Sequence, residues 1–148
     1  MKVFKTTLLI AGISSILISI FQATITFSVE WSRYFDAPEK LLSNPILLYI
    51  SGIIAAITFA IFGLYGISGA GYMRRFPYLR PVLLVVGTMY TIRGIAFILI
   101  LLQQIGFIQI THSIPPAEPG SSLVSFFVGL MFLVGTLGLW RNLKQNIQ

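Results

Sequence analysis

Residues 45–68 read PILLYISGIIAAITFAIFGLYGIS, a run of 24 residues without a charge. About 20 predominantly apolar residues are enough to cross the hydrocarbon of a bilayer as a helix. The boundaries carry helix signals. Asn44 can cap an N-terminus with Pro45 in the first helical position, and Gly69-Ala70-Gly71 supplies the glycine that a helix C-terminus favours. Three further stretches repeat the pattern, about Thr6–Phe27, Val82–Leu102 and Leu123–Trp140. Their runs are long and do not alternate, which excludes the short two-residue periodicity of a membrane β-barrel. The expectation is an all-α fold: one domain over residues 1–148, a four-helix integral membrane bundle spanning at 6–27, 45–68, 82–102 and 123–140.

Composition leads to the same class. Of 148 residues, 56% are hydrophobic and 9% charged, against about 25% charged in a soluble domain. A chain this short cannot hide that excess in a core, so a water-soluble globule and a disordered chain are both excluded. With no cysteine and one histidine, His112, the sequence has no thiol chemistry, no iron–sulfur cluster and no multi-histidine metal site. No metal or cofactor is expected.

Charge sets the orientation. Lys2 and Lys5, then Arg74, Arg75 and Arg80, then Arg141 and Lys144 fall on one side of an even-spanning bundle, with no acidic residue among them. Arg33 and Lys40 share the other side with Glu30, Asp36, Glu39 and Glu118. The positive-inside rule places both termini in the cytoplasm, and the high isoelectric point is a topological signal that leaves no case for nucleic acid as a partner. The first span has a basic start, but its apolar region is longer than a signal-peptide core and no small-x-small cleavage site follows, so it reads as a retained helix. The breaks between spans are set by Arg80-Pro81, Pro115-Pro116 and Pro119-Gly120, with Ser121 or Ser122 as cap of the last helix. Asp36-Ala37-Pro38-Glu39 has capping-box spacing, which predicts a short interfacial helix over 37–43 in the first outer loop, Leu41 and Leu42 facing lipid. Trp31, Tyr34, Tyr49, Tyr72, Tyr78 and Trp140 fall at the expected interfaces.

Arg93 is the residue that demands an explanation. It lies eleven residues into the third span, roughly 17 Å deep at 1.5 Å per residue, where an arginine costs at least about 2.5–3.5 kcal/mol. No predicted span holds an acid to neutralise it. It is therefore expected to face the bundle interior and to bond backbone carbonyls, Tyr90, Thr58 or the first helix. There Gly12, Ser15, Ser19, Gln22 and Thr26 recur every three or four residues on one face. The candidate polar site is thus Arg93, Tyr90, Ser15, Ser19 and Gln22. It is either a cavity for an anionic or polar ligand or a set of hydrogen bonds that tighten the bundle. Gly52, Ala56, Ala60, Gly63 and Gly66 form a small-residue ladder for close helix packing, as do Gly87, Thr91 and Gly94.

Several classes of chemistry are missing. No intramembrane Asp, Glu, His or Lys offers a proton relay or a Schiff base, and no HExxH, GxSxG or Ser/Lys pair offers hydrolysis. The arginines of the second loop are fewer than the four to eight of a lipid-specific cluster. The expectation is a non-enzymatic accessory or interaction protein that meets membrane lipid and either itself or a larger membrane complex. The alternative is a small oligomeric transporter or channel for an anionic or polar solute, with Arg93 in the pathway.

Three segments, FDAPEKLLSNPILLYISG (35–52), FGLYGISGAGYMRRFPYLRP (62–81) and YTIRG (90–94), together resemble a group of small four-helix bacterial inner-membrane proteins of unassigned activity. The resemblance covers under half the chain. It implies a bacterial inner-membrane location and singles out Tyr65, Ser68, Gly69, Gly71, Arg80, Tyr90 and Arg93.

The orientation is directly testable, because the chain has no native cysteine. Single cysteines at Ser43 and Ser113 should react with an impermeant maleimide in intact cells, and one at Asn146 should not. The reverse labelling would refute the topology.

Overall fold

The computed structural model describes residues 2–35, 37, 39–106 and 118–140, and for Ala96, Phe97, Ile100, Gln104 and Glu118 the backbone alone. The described residues are helical, with turns and short connections. The order is α1 (Lys2–Thr26), α2 (Val29–Tyr34), α3 (Glu39–Leu42), α4 (Pro45–Ala70), α5 (Leu79–Gln104) and α6 (Glu118–Gly138). Three helices are long and apolar enough to cross a membrane: Lys2–Thr26, Pro45–Ala70 and Pro119–Gly138. α5, with 26 residues, matches α4 in length.

The caps explain the boundaries. The Asn44 side-chain oxygen accepts hydrogen bonds from the amides of Ile46 and Leu47, and Pro45 opens α4. At the other end Gly71 takes φ 87°, and the amides of Gly71 and Tyr72 close the final turn on Ser68 and Ile67. α6 corrects one expectation. Its helix begins at Glu118, so Pro119 and Gly120 lie inside the first turn instead of breaking the chain. Proline is tolerated there because first-turn amides have no helical acceptor to lose.

The connection between α1 and α4 also departs from expectation. A helix, α2, precedes the anticipated one. Ser28 caps it by accepting from the Trp31 amide, and Ser32 ties it back by donating to the Ile25 carbonyl. The short helix expected over 37–43 is the single turn α3 (Glu39–Leu42). Leu41 and Leu42, expected to face lipid, are half-buried, and Leu41 is turned to the space between α1 and α4. Asp36 and Pro38 of the capping box lie outside the described residues.

The four long helices alternate in direction. α1 is central, packed against α4 on one side and α6 on the other, and α5 packs on α6. The contact of α4 with α5 is by far the sparsest of these pairings. The α1–α4 seam is a backbone contact. A Cβ on Gly12 would lie 2.8 Å from the Gly63 carbonyl oxygen, and one on Gly66 would lie 2.7 Å from Gly12 Cα. Farther along the same seam Gly52 packs on Thr26 and Ala56 is buried. Ala60 is only half-buried at the edge of this ladder. α5 and α6 approach in the same way, since a Cβ on Gly94 would collide with the backbone of Phe126.

The filled core lies toward the end that carries Lys2, Lys5, Arg74, Arg75 and Arg80, called here the basic end. Leu8, Leu83, Val86 and Phe132 are fully buried there. Arg80 donates to the Trp140 carbonyl and its guanidinium lies 4.6 Å over the Trp140 ring, joining the start of α5 to the end of α6. The outer face of α4 presents Ile46, Ile50, Ile53, Ile57 and Ile61.

Gly63→Leu would drive a side chain into Ile16 and the Gly12 carbonyl, within 2.5 and 2.7 Å of the new Cβ. It should lower the thermal midpoint of the purified protein by the equivalent of about 1–3 kcal/mol or prevent folding. Ala60→Leu, at the half-buried edge, should cost much less. Equal midpoints for the two variants would show that the seam is looser than described.

Candidate functional site

The polar face of α1 is mostly occupied with holding α4 and α5. Ser15 donates to the Phe59 carbonyl at 2.9 Å and lies 2.8 Å from the Tyr90 hydroxyl. A serine hydroxyl has one proton. That proton goes to Phe59, so Tyr90 donates to Ser15. Ser19 donates to the Ala56 carbonyl at 2.6 Å. Thr26 bonds back to the Gln22 carbonyl and packs on Gly52. The sequence could not tell a ligand site from inter-helix bonding. For Ser15, Ser19 and Tyr90 the partners belong to the bundle.

Tyr90 also anchors an aromatic cluster. Its ring stacks on Phe59 at 5.8 Å and on Phe132 at 6.0 Å, with Phe62 edge-on at 6.3 Å. This cluster fills the middle of the bundle and divides a packed half at the basic end from a hollow half at the other.

The hollow half is a cavity of about 800 Å³. It lies where α4 and α5 stand apart, and α2 and α3 border it at the opposite end to Tyr90. Its walls include Phe21 and Ile25 of α1, Leu48 and Ala55 of α4, Phe35 beside α2, and Val124 of α6. Arg93 lines it, one turn beyond Tyr90 on α5, as does Gln22. The level of Arg93 follows from its neighbour Gly94, which lies against Phe126 of α6. Ser125 lies within one helical turn of that level on the adjoining helix, and it too lines the cavity.

Arg93 differs from expectation. It is exposed to the cavity and not enclosed in the interior, and among the described residues it has no hydrogen bond or ion pair. Thr58, an anticipated partner, bonds back to the Ile54 carbonyl instead. The side chains of Gln22 and Ser125 likewise have no hydrogen-bond partner among the described residues. Other hydroxyls of the wall are satisfied by backbone: Ser32 by Ile25 and Ser51 by Leu48. Three residues with donor side chains, from α1, α5 and α6, thus line one space without a hydrogen bond to a described residue.

The residues singled out by resemblance divide along the same line. Ser68 donates to the Arg74 carbonyl and accepts from the Phe76 amide, which orders the loop after α4. Tyr65 packs on the Phe76 ring at 5.1 Å, and Gly69 lies against Leu8 and Leu83. Gly71 supplies the left-handed cap and Arg80 the Trp140 contact. Each of these holds the fold. Arg93, by contrast, has no hydrogen bond or ion pair among the described residues, and its charge acts on Tyr90 one turn away. Sequence reading missed Phe35, Phe59 and Ser125 as cavity residues. The one signal was Ser28 as a helix cap, which would have placed α2, and with it Phe35, over the hollow end. His112 lies outside the described residues, and no group of three potential metal ligands occurs within them.

The Ser15–Tyr90 bond should be measurable by a double-mutant cycle. Ser15→Ala and Tyr90→Phe should each destabilise by about 0.5–1.5 kcal/mol. The double variant should lose less than the sum, because the second change removes a bond already broken. Strict additivity would mean that the two hydroxyls do not meet.

No protein-family model, curated protein or solved structure matches the chain, so its function is read from the geometry of the cavity.

Proposed function

We propose that the chain is a non-enzymatic, four-helix integral membrane protein of a bacterial inner membrane, both termini cytoplasmic, that binds an anionic ligand at Arg93 in its outer half. The observation that carries this reading is an arginine on a cavity wall with no bond among the described residues. A charge at such depth in a bundle costs several kcal/mol unless something solvates it. Among the described residues neither carbonyls nor carboxylates do so, which supports a ligand as the source of the counter-charge.

The basic residues favour this orientation. They cluster at the end opposite the cavity, which turns the cavity toward the outer leaflet under the positive-inside rule. A continuous pore is the less favoured form, because Leu83, Val86, Tyr90 and Phe132 fill the basic half. Binding, or carriage with a change of conformation, suits a cavity with one closed end. An accessory role in a larger complex rests on the small-residue ladders. Those at Gly63, Gly66 and Gly94 are already occupied by α1 and α6 of the same chain. The cavity is the feature that presents unbonded polar groups.

Arg93→Met tests the reading. The apolar stem is kept and no partner charge is stranded, so the unliganded thermal midpoint should hold or rise. In phosphatidylcholine nanodiscs, monovalent carboxylates from acetate to decanoate are titrated against the matching amines. At least one carboxylate should raise the wild-type midpoint, by the equivalent of about 2.7 kcal/mol at a hundredfold excess over Kd. It should leave Arg93→Met unmoved, while Arg93→Lys responds in part. Identical shifts in the wild type and Arg93→Met would refute an anion site at Arg93.

A further inference from the structure

We infer that the ligand is a single-chain amphiphile with one negative charge, its head at Arg93, Gln22 and Ser125 and its chain along the apolar walls. This rests on the anion site proposed above and names the class of molecule that occupies it.

The charge follows from the lining. Among the described cavity residues Arg93 is the one ionised side chain and there is no acid. One cation in a low-dielectric site is neutralised by one negative charge, whereas a dianion would leave an excess charge buried. A planar carboxylate also matches the forked donors of a guanidinium. Gln22 and Ser125 add neutral donors from two other helices.

The chain follows from the rest of the wall. Phe21, Ile25, Phe35, Leu48 and Val124 surround the space, and the Ser32 and Ser51 hydroxyls are already bonded to backbone. A small hydrophilic anion would leave most of this volume to water. At about 30 Å³ each, roughly 25 waters would stand mainly against apolar surface, and apolar cavities tend to stay dry. An alkyl chain removes that surface from water or lipid at about 0.8 kcal/mol per buried methylene. The volume of about 800 Å³ falls in the range of one drug-sized ligand. The sparse α4–α5 contact leaves the cavity bordered by the surrounding membrane, where such molecules dissolve.

The test uses the full chain in phosphatidylcholine nanodiscs with stearate dibrominated in mid-chain as probe. Bromine quenches tryptophan at short range. Trp31 stacks 6.3 Å from the ring of Phe35, a cavity residue, whereas Trp140 lies at the basic end. Saturable quenching is expected in the wild type and should disappear in Trp31→Phe. The apparent Kd should rise at least about tenfold in Arg93→Met, recover in part in Arg93→Lys, and rise in Gln22→Leu with Ser125→Ala. The methyl ester of the probe should bind as weakly as the acid binds Arg93→Met. Ala55→Phe, which fills the chain region and leaves Arg93 in place, should also abolish saturation while the protein keeps its thermal midpoint. If acetate or phosphate displaces the probe at equal concentration, the site takes a soluble anion and the amphiphile inference fails while the anion site stands. If the ester binds as well as the acid and Arg93→Met changes nothing, both fail.

Discussion

Contact between the backbones of α1 and α4 is the constraint on which the rest of the structure depends. Gly12 meets Gly63 and Gly66 so closely that no Cβ fits between them. In lipid there is no hydrophobic drive to join two apolar helices, so attraction comes from dispersion and polar contacts at short range. Removing side chains from the seam allows both. It brings the α4 carbonyls of Ala56 and Phe59 within reach of Ser19 and Ser15 on α1. Those hydroxyls would otherwise be unsatisfied in an apolar medium. Glycine and serine on α1 are thus parts of one device.

The same device accounts for the hollow. α1 packs on α4 along most of its length and α6 packs on α5 through Gly87, Gly94 and Gly129. The two pairs are then joined through α1 and α6, with Gly135 and Gly138 of α6 against Leu8 and Phe4 of α1 at the basic end. Nothing comparable draws α4 to α5. Phe59, Phe62, Tyr90 and Phe132 bridge the gap at the middle, and beyond them lies the cavity. Arg93 stands there because the residue one turn below it, Tyr90, is turned inward to Ser15.

An arginine at this level brings a charge that packing does not require. If the site were only structural, a methionine would serve the same volume without the desolvation cost. Around it the hydroxyls divide into those bonded to backbone and those left facing the cavity. This separates the glue from the site more sharply than any count of polar residues. Ser15, Ser19, Thr26, Ser32 and Ser51 belong to the first set, and Ser125 to the second.

The sequence by itself determined the helical class, the apolar spans of α1, α4 and α6, the Asn44-Pro45 start and the Gly71 stop. These are local properties: hydropathy over a window, capping geometry and the conformational freedom of one residue. It also marked Arg93 and the α1 stripe, since an intramembrane charge and a three-four spacing need no tertiary knowledge. It mistook Pro119-Gly120 for a break and turned Leu41 toward lipid, because first-turn tolerance of proline and the side a single helical turn buries depend on neighbours. Only the tertiary structure decided which polar residues are bonded and which are free. Ser15 and Ser125 are the same residue type, each on a long helix. What separates them is that a carbonyl of α4 lies beside one, while the other faces the space that α4 and α5 leave between them.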